Sequence, residues 1–414
     1  MRVLYLTHRL PYAPNRGDRV RAYHTLRFLA PRAEVDLVSL VHDREEAGQV
    51  RLLDDLAVSV TTALVPRKRN LLRGLAALPT RRPLTQVLLD TPTVRSKIRE
   101  IALRRRPDVV LAYCSGVAQF VEQDALRNIP LVLDLVDVDS QKWQDLADRS
   151  AGPMRWIYRR EARHLGTFEA SVATRAVATL VVNEREAAVA RRLAPLANVR
   201  VVPNGISVDY FRAPQTVRRS PRVVFCGVMN YQPNEEGGIW LARHVWPLVR
   251  ARRPDASLAL VGSNPTRVLR SVCASDSSIC VTGTVPDVRP FLWDASVAVA
   301  PLFVARGVQN KVLEAVAAGL TVVATSAVAG GLPAAALRAC EIADSPERFA
   351  DAIVGLLALS DSERRHRTTA AALHDLEWSP TLTALWDILG SARQSAPGQL
   401  RSAVLSSPPL CSAT

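Results

Sequence analysis

Residues 306–325 read RGVQNKVLEAVAAGLTVVAT. Small and basic residues (Arg306, Gly307, Gln309, Asn310, Lys311) run straight into an apolar-periodic helix that carries Glu314 and stops at Gly319. A β-branched run follows at 321–324, so the stretch reads as a helix feeding a short buried strand, half of a parallel βαβ unit. Backbone N–H groups at the helix start, the helix dipole and two cations together attract a diphosphate. Glu314, about one turn further in, can accept hydrogen bonds from a sugar hydroxyl. A phosphate clamp followed by a ribose-sized carboxylate reads as a nucleotide-sugar site.

The same rhythm extends along most of the chain. Strands are expected at 3–7, 34–40, 109–112, 131–135, 179–182 and 199–202, and a second series at 222–226, 257–261, 279–282, 298–300 and 321–324. Short apolar strands separated by helices are the mark of parallel α/β sheets with both faces covered. Residues 212–221, with Pro214 and Pro221 among Arg and Ser, hold little that could pack. The expectation is therefore α/β, with two doubly wound Rossmann-like domains, 1–212 and 213–378, facing across a cleft. Ligands in such sheets bind beyond the carboxyl ends of the strands. A last helix at 379–393 is expected to cross back to the first domain. The Ser/Pro/Ala-rich residues 394–414 are expected to form a disordered tail.

Composition narrows the classes. A chain of 414 residues, 48% hydrophobic, is long enough for two cores and far too apolar for disorder. The formal net charge is +14, and residues 67–106 hold twelve Lys/Arg against Asp90 and Glu100. Such a block attracts phosphate-rich partners such as nucleic acid or anionic headgroups, or is simply a solvated helix face. Six cysteines form no CxxC pair, as expected of reduced core thiols. The apolar run before Arg9 is too short for a signal peptide, so a cytoplasmic protein is expected. Residues 315–337 carry no charge, yet Gly319, Gly330, Gly331 and Pro333 interrupt them, which argues against a span.

Four further loops could carry chemistry. After the first strand, HRLPYAPNRGDRVRAYHTL (8–26) sets Gly17, a capping Asp18, Arg19, Arg21 and His24 at a strand's carboxyl end. It is neither GxGxxG nor a Walker sequence, so it implies no dinucleotide or ATP. LVLDLVDVDSQKW (131–143) places Asp134, Asp137, Asp139 and Ser140 at or past a strand end. There a carboxylate could act as general base, orient hydroxyls, hold Mg²⁺, or merely cap the next helix. VVPNGISVDYF (201–211) contains the turn signal Asn204–Gly205, and FCGVMNYQPNEEG (225–237) offers Gly227 for close approach of a ligand to the backbone. No histidine has metal-ligand spacing.

Together these segments resemble the GT-B-fold retaining glycosyltransferases of the glycosyl transferases group 1 family, over nearly the whole ordered chain. PNGISVDYF (203–211) is similar to the family's PNGVD-x-x-F, and FCGVMNYQPN to its strand–Gly loop. VGSNP (261–265), VTGTVPDVRPFLWDASVAVAPL (281–302) and RGVQNKVLEAVAAGLTVVAT resemble its later segments and its E-x7-E helix. HRLPYAPNRGDRVRAYHTL, DLVDVDSQKW and ARGVQNKVLEAVAAG more closely resemble the sugar transferases associated with PEP-CTERM/exosortase exopolysaccharide systems. Two departures stand out: Arg306 replaces the first Glu of E-x7-E, and no Arg-x4-Lys pair follows Gly227.

The resemblance implies transfer of a sugar, with retention, from a nucleotide-diphosphate sugar to a glycan acceptor, lipid-linked at the inner membrane face. Lys311 and Arg306 would stabilise the departing diphosphate, and Asp137 or Asp139 would position the acceptor hydroxyl. Glu314, Gln309, Asn310, Gly307, Gly227 and Asn204 would bind the donor. Gly17, Asp18, Arg21, His24, Asp139 and Ser140 would line the acceptor side. No metal or other cofactor and no nucleic acid is expected, and segment 67–106 would rest on an anionic membrane. A nucleotide-sugar epimerase and a non-catalytic partner in a polysaccharide assembly complex remain the alternatives on this fold.

Overall fold

The computed structural model describes residues 1–12, 17–214, 219–305, 307–369 and 373–395. The first sheet holds β1 (Arg2–Thr7), β2 (Glu34–Val41), β3 (Ser59–Leu64), β4 (Val109–Tyr113), β5 (Leu131–Val136), β6 (Ala178–Val181) and β7 (Val199–Val201). The second holds β8 (Arg222–Cys226), β9 (Ser257–Val261), β10 (Ile279–Gly283), β11 (Val297–Ala300), β12 (Thr321–Ala324) and β13 (Cys340–Ile342). Their orders are β3-β2-β1-β4-β5-β6-β7 and β10-β9-β8-β11-β12-β13, parallel throughout. Each sheet thus reverses its winding beside its first strand, between β1 and β4 and between β8 and β11. That reversal opens a crevice at the strands' carboxyl ends.

The central strands are apolar on both faces because helices cover both. VVLAY of β4 and VAVA of β11 are buried at every position. Two strands were not legible in sequence. SVTTAL of β3 lies at a sheet edge and is mostly half-exposed, so its threonines break the apolar run. β13 has three residues, CEI, at the other sheet's edge.

The chain divides into two compact units, Met1–Val202 with the segment from Leu382 on, and Pro203–Thr381. The expected boundary at 212/213 therefore moves to 202/203, because residues 203–211 are tied into the second unit. Ile206 pairs with Glu377 and is buried, and Trp293 Nε1 donates to the Phe211 carbonyl at 2.8 Å. At the other end the helix Trp378–Gln394 starts in the second unit and enters the first at Leu382. That helix takes in Gln394, and residues 396–414 of the expected tail lie outside the described residues. The uncharged 315–337 stretch breaks into a helix end, β12 and the short helices Ser326–Ala329 and Ala334–Leu337. Among the described residues no helix is long and apolar enough to cross a membrane.

Candidate functional site

In the second unit the loops after β8 and β11 meet at the switch point. The helix Asn310–Ala317 follows β11, and Lys311 on it reaches back over the Phe225 ring, Nζ 4.9 Å from its centroid. The ammonium donates to Asn234 Oδ1 at 2.6 Å, while Asn234 Nδ2 donates to the Val228 carbonyl at 2.9 Å. A Cβ on Gly227 would stand 2.8 Å from Asn234 Nδ2 and 3.2 Å from Lys311 Nζ, so only glycine lets both side chains lie on this loop. Gly262, at φ +148°, abuts the same loop from β9: a Cβ there would fall 1.7 Å from the Gly227 carbonyl oxygen. The cation is thereby fixed against bare backbone, the arrangement that suits a phosphate.

Glu314 lies one helical turn beyond Lys311, half-buried on the same helix face. Burial pushes its carboxyl up to about 7 although Lys311 opposes the shift. Burial pulls the Lys311 ammonium down to about 8 against the pull of Cys226 and Glu314. Cys226 is pushed up to about 12 by burial and Glu314 and stays a thiol. Gly307 takes φ +65°, Gln309 is the N-cap residue, and Asn310 opens the helix. Asn310 Oδ1 accepts from Asn204 Nδ2 at 3.1 Å, which joins the Asn-Gly turn to this site. Arg306 lies outside the described residues. Of the donor-side residues named from sequence, the structure thus joins Lys311 to Gly227 and Asn310 to Asn204. Asn234, buried in the first turn of the helix Gln232–Trp240, is a site residue that was not singled out from sequence.

In the first unit the carboxyl ends of β1, β4 and β5 gather a second polar cluster. Between Asp134 and Val136 the β5–β6 register shifts, and Val136 takes φ +65°, costly for a β-branched residue. This re-aims the chain just before Asp137. Lys142 Nζ lies 3.2 Å from Asp137 Oδ2 and 3.0 Å from Asp139 Oδ1, and Ser115 Oγ donates to Asp139 Oδ2 at 2.7 Å. Burial raises the Asp139 carboxyl, but Lys142, the hydrogen bonds from Ser115 and Lys142, and nearby His8 outweigh it and the net shift is downward. Asp139 is thus a stable anion poised beside a cation. The His8 ring stacks on Tyr113 at 5.7 Å.

The helix start after β5 is closed to a ligand's anion. Val138 N–H donates to Glu186 at 2.9 Å, and the N–H groups of Asp139 and Ser140 to Glu169 at 3.1 and 3.2 Å. Two buried glutamate carboxyl groups therefore cap Asp139–Arg149 from other helices. Neither glutamate was singled out from sequence. The signal for Glu169 was present: it is in phase with Ala162, Leu165, Val172 and Ala173 on the buried face of Gly152–Arg175.

The acceptor-side expectation for Arg21 changes. Arg21 points inward, 1% exposed, and its Nε donates to buried Asp134 at 2.7 Å, so it neutralises the sheet's own carboxylate instead of meeting a ligand. The helix Gly17–Leu29 has Asp18 as its second residue, and the capping role expected of the Asp18 side chain lies outside the described residues. Gly17 is that helix's first residue. His24 sits mid-helix, half-buried edge-on to Tyr23, where burial and Arg27 pull it down to about 4, so it is neutral at pH 7. Among the described residues no group of three or more His, Cys, Asp or Glu is placed to hold a metal ion.

Comparison with known proteins agrees with this architecture. Residues 220–359 match the family model of the glycosyl transferases group 1. The crystal structure of Anabaena HepE in complex with UDP and glucose is similar with a TM-score of 0.68 at 12% identity, covering 94% of this chain and 100% of that one. TarM gives 0.63 at 8% identity, with 94% and 98% covered. An α,α-trehalose-phosphate synthase (UDP-forming) from Burkholderia vietnamiensis gives 0.61 at 13%, with 94% and 100% covered. The two parallel α/β sheets are those of the GT-B glycosyltransferase fold. No curated protein sequence matches the chain.

Proposed function

We propose that the chain is a glycosyltransferase that moves a sugar from a nucleoside-diphosphate donor to a glycan hydroxyl. The observation that carries this is Lys311, pinned by Asn234 over Gly227 with Glu314 one turn away, at the switch point of the second sheet. The ammonium and the helix start meet the diphosphate and stabilise its charge as it departs. Glu314 accepts from the ribose hydroxyls, and Gly307, Gln309, Asn310 and Asn204 complete the donor side. Arg306 is the second cation of the proposal. With these cations supplying the positive charge, we propose no metal.

The acceptor falls to the first unit, where the Asp139 carboxylate beside Ser115, Ser140 and Lys142 can orient hydroxyls and Asp137 can position the one that reacts. Retention at the anomeric carbon is supported by the segment resemblances at 203–211, 225–234, 261–265, 281–302 and 306–325. A lipid-linked acceptor in exopolysaccharide assembly at the inner membrane face is supported by those at 8–26, 134–143 and 305–319. HepE is bound to UDP and to UDP-glucose in crystals, which makes UDP the first nucleotide to try.

The test is thermal stabilisation by UDP, GDP, ADP and their sugars, with chelator present throughout. One nucleotide should raise Tm, by about 2.7 kcal/mol of stabilisation at a hundredfold excess over Kd, and Lys311→Ala should abolish the shift. No shift with any nucleotide, or an undiminished shift in Lys311→Ala, would remove the proposal.

A further inference from the structure

The helix Arg67–Ala77 turns its large apolar residues outward. Its buried face is small and polar (Asn70, Gly74, Ala77), whereas Leu71, Leu72 and Leu75 are 59%, 70% and 60% exposed. Spacings of three and four residues put these leucines on one stripe. Exposed Lys68 stands in the stripe, and exposed Arg67 and Arg69 flank it.

The helix is fastened in this orientation. Asn70 Nδ2 donates to the carbonyls of Leu88 at 3.0 Å and Asp90 at 2.8 Å. At the far end the Arg160 guanidinium donates to the carbonyls of Leu78 (2.7 Å), Ala77 (2.9 Å), Arg82 (2.9 Å) and Thr80. Rotating the leucines inward would break both sets. One turn before Arg160, on the helix Gly152–Arg175, Trp156 is 57% exposed, with Met154, Arg155 and Arg159 exposed beside it.

We propose that this face docks on an anionic lipid bilayer. The leucines and Trp156 enter the boundary between headgroups and acyl chains, and Arg67, Lys68, Arg69 and Arg159 rest on the headgroups. Charge selects this occupant. The segment 67–106 carries twelve cations against two carboxylates, so self-pairing about a two-fold axis would set cations against cations. Nucleic acid would match the charge and leave the leucine stripe without a partner. The inference deepens the lipid-linked acceptor reading, and its test uses neither donor nor acceptor, so each can fail without the other.

The full chain is floated with vesicles of phosphatidylcholine alone and with phosphatidylglycerol added, at low and high salt. The wild type should float only with the anionic vesicles and less at high salt. Leu71→Ser/Leu72→Ser/Leu75→Ser should lower the bound-to-free ratio by about tenfold or more with Tm unchanged, since burial of apolar area supplies part of interfacial binding. Leu72→Ser alone should give a smaller fall in the same direction and serves if the triple variant is unstable. Lys68→Gln/Arg69→Gln should weaken binding and flatten its salt dependence. Three results would overturn the proposal: no flotation with anionic vesicles, flotation unaltered by the serine variants, or a dimer in sedimentation that these variants dissolve.

Discussion

Lys311 and Glu314 are each held near the middle of their titration, and in opposite senses. A diphosphate needs the ammonium and a ribose needs the carboxylate. Burial pushes Glu314 up to about 7, so below that pH the carboxylate is lost; burial pulls Lys311 down to about 8, so above it the ammonium is lost. Nucleotide affinity should therefore rise as pH passes about 7 and fall as it passes about 8, with bound phosphate moving the alkaline limb upward. Lys311→Arg should keep its charge and lose the alkaline limb, read by calorimetric titration between about pH 6 and 10. An alkaline limb that persists in Lys311→Arg would place that titration on another group. This pairing was legible in sequence, because a helix start with Lys and Glu three apart fixes their common face before any fold is known. Arg21 was not: a cation beside a Gly looks the same in sequence whether it meets a ligand or, as here, Asp134, 113 residues away.

At the scale of elements, the helix Gly152–Arg175 organises the first unit's polar chemistry. Glu161 on it accepts from the N–H groups of Leu84 at 2.6 Å and Thr85 at 2.8 Å, as Glu169 does from Asp139 and Ser140. Two carboxyl groups eight residues apart thus cap two other helices, Leu84–Leu89 and Asp139–Arg149. Burial, then Asp139, push Glu169 up to about 8. An unfolded glutamate releases its proton near pH 4.3, so between about 4.3 and 8 the folded chain binds more protons and stability falls as pH rises. Gln does not titrate. The stability of Glu169→Gln relative to wild type should therefore climb over that window by up to about 1.4 kcal/mol per pH unit, measured by urea unfolding at pH 5 and 8. Parallel pH profiles for the two proteins would show that Glu169 is ionised in the fold. The central strands announced themselves as apolar runs, while β3 and β13 did not, because an edge strand needs no apolar residue on its exposed side.

For the whole molecule, the division of the chain follows what residues 203–211 pack against, whereas composition points to the loop after them. Ile206 N–H donates to the Leu376 carbonyl at 2.7 Å, and a Cβ on Gly205 would fall 2.6 Å from Trp378 Cα, so this strip lies tightly on the chain's return segment. Asn204 holds the first residue of the Lys311 helix, and the Arg289 guanidinium stacks 3.9 Å from the Tyr210 ring centre. A break in hydrophobicity at 212–221 marks a stretch whose composition offers little to pack, but a boundary is set by where contacts change partner, and that depends on residues far apart in sequence. Two fragments separate these views: 203–381 and 213–381. Removing the strip uncovers Ile206's seat, about 1.5–3 kcal/mol of apolar burial, together with the bonds to Asn310 and Trp293. At about 2–4 °C per kcal/mol for a unit of this size, the shorter fragment should melt about 5–10 °C lower. It should also bind nucleotide more weakly, since Asn310 loses its partner at the helix start that Lys311 shares. Equal melting temperatures and equal nucleotide shifts in the two fragments would return the boundary to 212/213 and leave the Asn-Gly turn as a linker.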